Sequence, residues 1–456
     1  MKNIAKVWRS STAFLLSAFS FLILITSCSN ELDETLQSAG NGNLQFVVSD
    51  FPMFGEGIQT RVIGTQDEGK TAWTNEDKIL VHLYSQKYGD QAVILTFDAE
   101  NNAWESDGGT LSYLENETPT ITAVYAPDCE IKSDKTIGLL EGKQYGEAEY
   151  ILARTTISEN SLDINFESGR TYSRLRIAGL ANQTLTVTTT DFTPAGATEV
   201  ATVAYTLTTD NNGNAFLYGV FAEGATVSVK QGDITLKDYT FSAEKNPNGT
   251  EHNKSYALDA RPLIDGTLGG KTEATEDDIT ALVEQLKGYV DNGITTIIVP
   301  GSKSAIIEVD GIVLPAVSEA IYRLSKDESY NGKIDLILPD VTEIFDQEFH
   351  SARALNSITL PKVTNLADQA FYGTLYLRTI TFGSVITEVN ELGAIFNQVG
   401  YNVGGCDLIL NCGQMNESNV PAPDLTNNIW KFKFENEFKS ITLTHTGECD
   451  ECKANQ

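Results

Sequence analysis

Between about residues 44 and 260, apolar and polar positions alternate in short runs that turns interrupt. Residues 44–48, 79–84, 93–97 and 121–125 show it most clearly, followed by 162–166, 175–177, 184–187 and 203–207. A period of two is the mark of a strand with one face in a core and one toward water. Asp210-Asn211-Asn212-Gly213 lies between two such runs and predicts a hairpin, since Asn-Gly accepts the positive φ of a tight turn. No long helical pattern intervenes. This half reads as all-β, with enough chain for two sandwiches in tandem, over 42–168 and 169–262.

The pattern then changes. Residues 263–275 hold Gly266, Gly269 and Gly270 and read as a linker. Thr275, with Asp278 three residues on, predicts an N-cap, and Ile279, Leu282, Val283, Leu286 and Val290 continue at helical spacing until Gly293. A strand is expected over 296–299 and a short helix over 317–324, with Pro315 near its start. An internal repeat follows. Leu338, Leu360 and Phe382 are 22 residues apart, and Ile344/Leu366 and Phe349/Phe371 keep the same step. Weaker copies fall at 407–410 and 440–443. A period in the low twenties with one short strand per unit predicts a leucine-rich-repeat solenoid over 276–450, with one or two capping helices and a tail at 451–456. Its Leu, Ile and Phe positions form the core. The other positions of the strand face are where a ligand would be read.

The first residues change the picture of where the protein works. Lys2, Lys6 and Arg9 precede an apolar run from Phe14 to Ile25, and Ile25-Thr26-Ser27-Cys28 follows. The run is short for a spanning helix and has the flanks of an export signal. Cys28 resembles the acylated cysteine of bacterial lipoproteins, which implies a signal over 1–27, lipidation of Cys28 and a membrane anchor. Residues 28–41 read as an acidic, flexible tether, similar to the stretch after the cysteine in surface-exported Bacteroides-type lipoproteins. The formal charge is −30, and residues 1–27 hold bases and no acid, so the remainder is more acidic still. That excludes nucleic acid as a partner.

Three elements of the first half resemble Bacteroides-type fimbrillins, the pilins derived from lipoproteins. They are the first strand, Asn43 to Ser49, the Thr60-Arg61-Val62-Ile63-Gly64 segment, and Trp73 leading to Asp77 and Ile79. Asn75-Glu76 departs from the family's glycine at that turn. Strands at 172–177 and 254–258 fit the family's second sandwich. The resemblance implies protease processing at Arg61, loss of the lipidated first strand, and refilling of the groove by a strand of another pilin-like subunit. The Leu360-Pro361-Lys362-Val363-Thr364 and Ala370-Phe371 elements resemble bacterial surface-antigen leucine-rich repeats. About 190 residues follow the pilin-like part, which suits a terminal or accessory subunit better than a repeating stalk.

Catalytic and metal chemistry find little support. His82, His252, His350 and His445 are isolated. Gly266 to Thr272 ends like a phosphate-binding loop, but its first glycine is one residue too close to Gly-Lys-Thr and no strand precedes it. Apart from Cys28 there are Cys129, Cys406, Cys412, Cys449 and Cys452, an odd number. Cys406, Cys412, Cys449 and Cys452 could make a four-thiolate zinc site, a terminal disulfide or free thiols. Cys406 and Cys412 flank one strand, roughly 20 Å apart, and cannot bond to each other. The expectation is a non-enzymatic outer-membrane lipoprotein, without metal or cofactor, exposed at the cell surface. It acts in adhesion or as a fimbrial accessory subunit, with a host, bacterial or glycan ligand on the repeats. The alternative is a monomeric glycan- or nutrient-binding lipoprotein.

Overall fold

The computed structural model describes residues 45–54, 69–109, 111–114, 117–158, 161–167, 169–389, 395–415 and 438–444. The fold is mainly β, and the chain divides into two compact units. Among the described residues no helix is long and apolar enough to cross a membrane.

The first unit holds the described residues up to 143 and from 148 to 171. Its strands are β1 (Gln45–Val48), β2 (Lys78–Ser85), β3 (Gly89–Asp98), β4 (Ala103–Ser106), β5 (Thr120–Tyr125), β6 (Cys129–Ile131), β7 (Ile137–Leu139), β8 (Ile151–Leu152), β9 (Arg154–Ser158) and β10 (Ser161–Asn165). Five of them form a sheet in the order β4-β3-β2-β5-β8, and three form a second in the order β1-β10-β9. Alternation puts Ile79, Val81 and Leu83 of β2, with Val93 and Leu95 of β3, on buried positions of the larger sheet. Leu80 and Val124 point the other way and pack under the β6–β7 hairpin, against Cys129, Ile131 and Ile137. The turn before β2 keeps the backbone of a glycine without having one. Glu76 sits at φ 68°, and Asp77 donates its N–H to Thr74 O. A left-handed glutamate costs about 1 kcal/mol.

The second unit includes residues 144–147 and everything described from Tyr172 onward. Its first strands are β11 (Ser173–Ala178), β12 (Thr184–Pro194), β13 (Ala201–Thr208), β14 (Asn214–Phe221), β15 (Thr226–Gln231), β16 (Ile234–Thr240) and β17 (Ser255–Asp259). They form one sheet, β16-β15-β12-β14-β11-β17, with β13 on the other side of β12. Residues 186–189 of β12 pair with β15, and its last three pair with β14. An irregularity lies between them, with Asp191 at φ 48°. A bend of this kind folds a sheet over on itself. Both halves accordingly share one core of Leu185, Val187, Phe192, Tyr205, Leu217, Phe221 and Val229.

The expected hairpin at 210–213 is corrected here. The turn forms: Asp210 Oδ1 accepts from the N–H groups of Asn212 and Asn214 at 2.8 and 2.9 Å, and Gly213 takes φ 79°. A Cβ on Gly213 would lie 2.5 Å from Gly179 O. The strands on either side do not pair with each other. β13 pairs with β12, whereas β14 pairs with β11 and the end of β12. The turn reverses the chain between layers.

Residues 263–275 differ from a slack linker. Ile264 is fully buried and donates its N–H to Ile298 O at 2.9 Å; Ala305 donates to Gly266 O and Ala274 to Ile306 O. This stretch is stitched into the repeat core, and Leu236 of β16 packs against that core as well as its own. Helix α1 (Glu276–Asp291) starts at Thr275 with a capping box completed by Asp278. Next come β18 (Thr296–Ile298), a hairpin of β19 (Ile306–Val309) and β20 (Ile312–Pro315), and α2 (Ala316–Lys326).

The 22-residue period appears as stacked parallel strands. The longer ones are β21 (Ile334–Ile337), β23 (Leu355–Leu360), β25 (Thr379–Phe382), β27 (Cys406–Asn411) and β28 (Phe438–Thr444). Interleaved with them are the two-residue strands β22 (Glu343–Ile344), β24 (Asn365–Leu366) and β26 (Glu388–Val389). The sheet order β18-β21-β23-β25-β27-β28 is parallel throughout, and β22-β24-β26 make a second parallel sheet. Leu338, Leu360 and Phe382 are buried in line. Phe349, Phe371 and Phe396 stack face to face, at 5.6 and 5.8 Å between ring centres.

Candidate functional site

Strand β1 is the edge of its sheet and has one partner, β10, to which it runs parallel from Gln45↔Ser161 to Val48↔Ile164. Phe46 is 2% exposed, and Leu162 and Ile164 of β10 are buried. Fixing continues past the strand. Ser49 donates its N–H to Ile164 O at 3.0 Å, its hydroxyl accepts from Phe166 N at 2.9 Å, and Trp73 Nε1 donates to Ser49 O at 2.9 Å. Phe51 meets Trp73 and Tyr125 edge-on at 4.9 and 5.5 Å. Arg170 then holds the end of the segment. Its side chain is 1% exposed, it pairs with Glu149 at 2.6 Å, it donates to Pro52 O at 2.6 Å, and its guanidinium lies 3.7 Å from the Phe54 ring centre. Burying each phenylalanine contributes about 1.5–3 kcal/mol. Residues 45–54 are thus a strand paired with β10 and an extension held by Trp73, Tyr125 and Arg170. Sequence reasoning found the strand but not Arg170, whose partners lie far from it in the chain.

Cys28 and Arg61 lie outside the described residues, as do Cys449, Cys452 and His445. Cys129 and Cys406 are free thiols. Burial pushes Cys129 up to about 11, with Asp128 adding to it, and Cys406 up to about 12, with Asp407 adding to it, so both stay protonated at neutral pH. Among the described residues no group of three His, Cys, Asp or Glu is placed to hold a metal ion. His82 Nε2 lies 2.9 Å from Asp90 Oδ1 on the neighbouring strand.

The loop that ends like a phosphate site is organised from within. Asp265 accepts from Thr267 N, Thr267 Oγ1 and Gly269 N, and Lys271 is paired with Asp278 at 2.7 Å. This loop, the start of α2 and the first repeat line a cavity of about 500 Å³. In its wall Glu348, 3% exposed, accepts from Ser318 Oγ at 2.8 Å and Phe345 N at 2.9 Å. Burial is the main cause that raises its pKa from 4.5 to about 7. The native state therefore binds this proton more tightly than the unfolded chain does, and stability is lost as pH rises from about 4.5 to 7. Glu348→Gln keeps one acceptor and removes the charge. It is expected to flatten that loss and to stabilise the protein at pH 8 by up to about 3 kcal/mol. Thermal midpoints from pH 5 to 8 check this; a variant with an unchanged pH profile contradicts it.

The outward face of the repeat strands carries two rows in register. Asp335, Ser357, Thr379, Asp407 and Ser440 make one; Ile337, Thr359, Thr381, Ile409 and Thr442 make the other. All but the exposed Thr442 are half-buried. Ser357 Oγ donates to Asp335 Oδ1 and Ser440 Oγ to Asp407 Oδ1, each at 2.6 Å, which ties the two pairs at either end of the first row. Such a face can offer hydroxyl and carboxylate groups at fixed strand spacing.

No family model matches the chain, and no curated protein does. Among solved structures it is similar to a candidate cell adhesion protein from Bacteroides fragilis, at 10% identity over 47% of this chain and 92% of that one, with a TM-score of 0.24. A candidate cell adhesion protein from Bacteroides ovatus shows 14% identity over 42% and 84%, with the same TM-score. A fimbrial protein from Bacteroides ovatus shows 10% identity over 52% and 56%, again at 0.24. Identities and TM-scores this low assign neither a partner nor an activity to this chain.

Proposed function

We propose that this chain is a cell-surface adhesion protein, built on fimbrillin-like sandwiches and carrying a leucine-rich-repeat solenoid as its recognition surface. The observation that carries the reading is the seat of β1: an edge strand with one partner, its Phe46 buried in register with Leu162 of β10. A strand held that way can be exchanged for an equivalent strand of another chain. Arg61 follows β1 in the sequence and precedes Trp73. A cut after Arg61 separates β1, and the acylated Cys28 before it, from the rest of the protein. The protein is then anchored in the outer membrane until processing, and joins other pilin-like subunits afterwards. The repeat stack suits a terminal or accessory position. Its work is binding, with no catalytic step and no cofactor.

A second reading, a monomeric glycan- or nutrient-binding lipoprotein, rests on the polar rows of the repeat face and needs no cut. N-terminal sequencing of the protein from the cell surface separates the two. Chains beginning at Val62 in assembled material support the pilin-like reading. Chains beginning only at an acylated Cys28 leave the tethered binding protein.

A further inference from the structure

Three cations stand at one end of the repeat sheet. Lys333, Arg353 and Arg378 immediately precede or closely precede β21, β23 and β25, which are neighbours in the sheet. Lys333 Nζ donates to Arg353 O at 2.8 Å and lies 4.3 Å from the Tyr376 ring centre, and the Arg353 guanidinium lies 5.7 Å from the same ring. Among the described residues no carboxylate lies within ion-pair distance of any of the three. That runs against the composition, in which 62 acids face 32 bases. The cluster also repels itself: burial first, then Arg353 and Arg378, hold the Lys333 ammonium below its usual pKa. Charges held together on a rigid stack, without counter-charges among the described residues, are poised for an external anion.

We propose that this edge binds an acidic saccharide, its sulfate or carboxylate held by Arg353 and Arg378 beside Lys333, its hydroxyls running onto Ser357 and Thr379. The inference rests on the reading of the repeat face as the recognition surface. Guanidinium groups match the paired oxygens of such anions. From β21 to β25 the cations span two strand spacings, about 10 Å, within reach of one or two sugar rings. A saccharide is favoured over an acidic peptide because β21, β23 and β25 are paired on both sides, so no free strand edge is offered there to a peptide backbone.

The test uses the full chain with a heparin hexasaccharide, its desulfated counterpart and poly-glutamate, followed by calorimetry at fixed salt. The wild type is expected to bind the sulfated hexasaccharide, and Arg353→Gln with Arg378→Gln to weaken it about tenfold or more. A control pair of equal charge change, Lys237→Gln with Lys287→Gln, is expected to leave binding within about twofold. Circular dichroism confirms that both variants are folded. No binding of the sulfated probe, or equal binding by the arginine variant, overturns the inference. Poly-glutamate binding with the same arginine dependence also overturns it, in favour of a peptide. Thr359→Trp keeps the two readings apart: if it abolishes binding of the sulfated hexasaccharide while the arginine variant still binds it as the wild type does, the acidic inference falls and the recognition face stands.

Discussion

Phe371→Ala is expected to lower the stability of the second unit by about 3–5 kcal/mol, the cost of emptying a fully buried phenylalanine site. Phe371 is the middle of three stacked rings and is 0% exposed. Phe349 and Phe396 belong to the coils on either side, fixed by parallel strands, so neither can slide in to fill the hole. Phe371 also belongs to one continuous core with Phe349, Leu360, Ile380, Phe382 and Phe396, so a hole there loosens its surroundings. A fall in thermal midpoint of about 10 °C is expected. Phe345, at 41% exposure, gives the control: Phe345→Ala should move the midpoint by no more than a degree or two. Equal effects of the two would mean that the ladder is not part of the core.

Arg170→Met is expected to act at the seat of β1. It removes the 2.6 Å ion pair to Glu149 and the donor to Pro52 O while keeping the bulk of the side chain. Breaking a buried pair from one side costs about 3–5 kcal/mol, because the other charge stays in a poor solvent. Some of that cost is local to residues 51–54, which Arg170 holds. The segment after β1 should then open more often, and cleavage after Arg61 by an arginine-specific protease should speed up about tenfold for each 1.4 kcal/mol of local destabilisation. Adding Glu149→Gln should restore part of the global stability, since the stranded charge is gone. Proteolysis at the wild-type rate in the single variant would mean that Arg170 does not hold this segment.

Much of the fold is legible in the sequence because it is written locally. The period-two runs become β2, β3, β5 and β10 within a few residues of their expected bounds. Thr275 and Asp278 form the capping box that their spacing announces. The 22-residue step is legible because stacking demands the same apolar positions in every coil. What is not local is not legible. Asp210 to Gly213 does turn the chain, but turn chemistry says nothing about which neighbour the next strand meets. The bend in β12 sends β14 to another partner. Glycines at 266, 269 and 270 suggest slack, and the burial of Ile264 between them and the preceding strand overrides it. Arg170, Glu348 and the three repeat-edge cations escape for the same reason. Their meaning comes from groups some 20 to 120 residues away, or from the fold's power to exclude water.

The proposal that the first strand can be exchanged is tested most directly by light scattering on the purified full chain before and after arginine-specific cleavage, with intact mass read on the same samples. The account predicts one cut after Arg61, loss of the fragment carrying β1, and growth into higher oligomers that an excess of synthetic peptide spanning residues 42–54 suppresses. A chain cut after Arg61 that keeps β1 seated and stays monomeric, or one whose Arg61 resists the protease in the folded state, would contradict it.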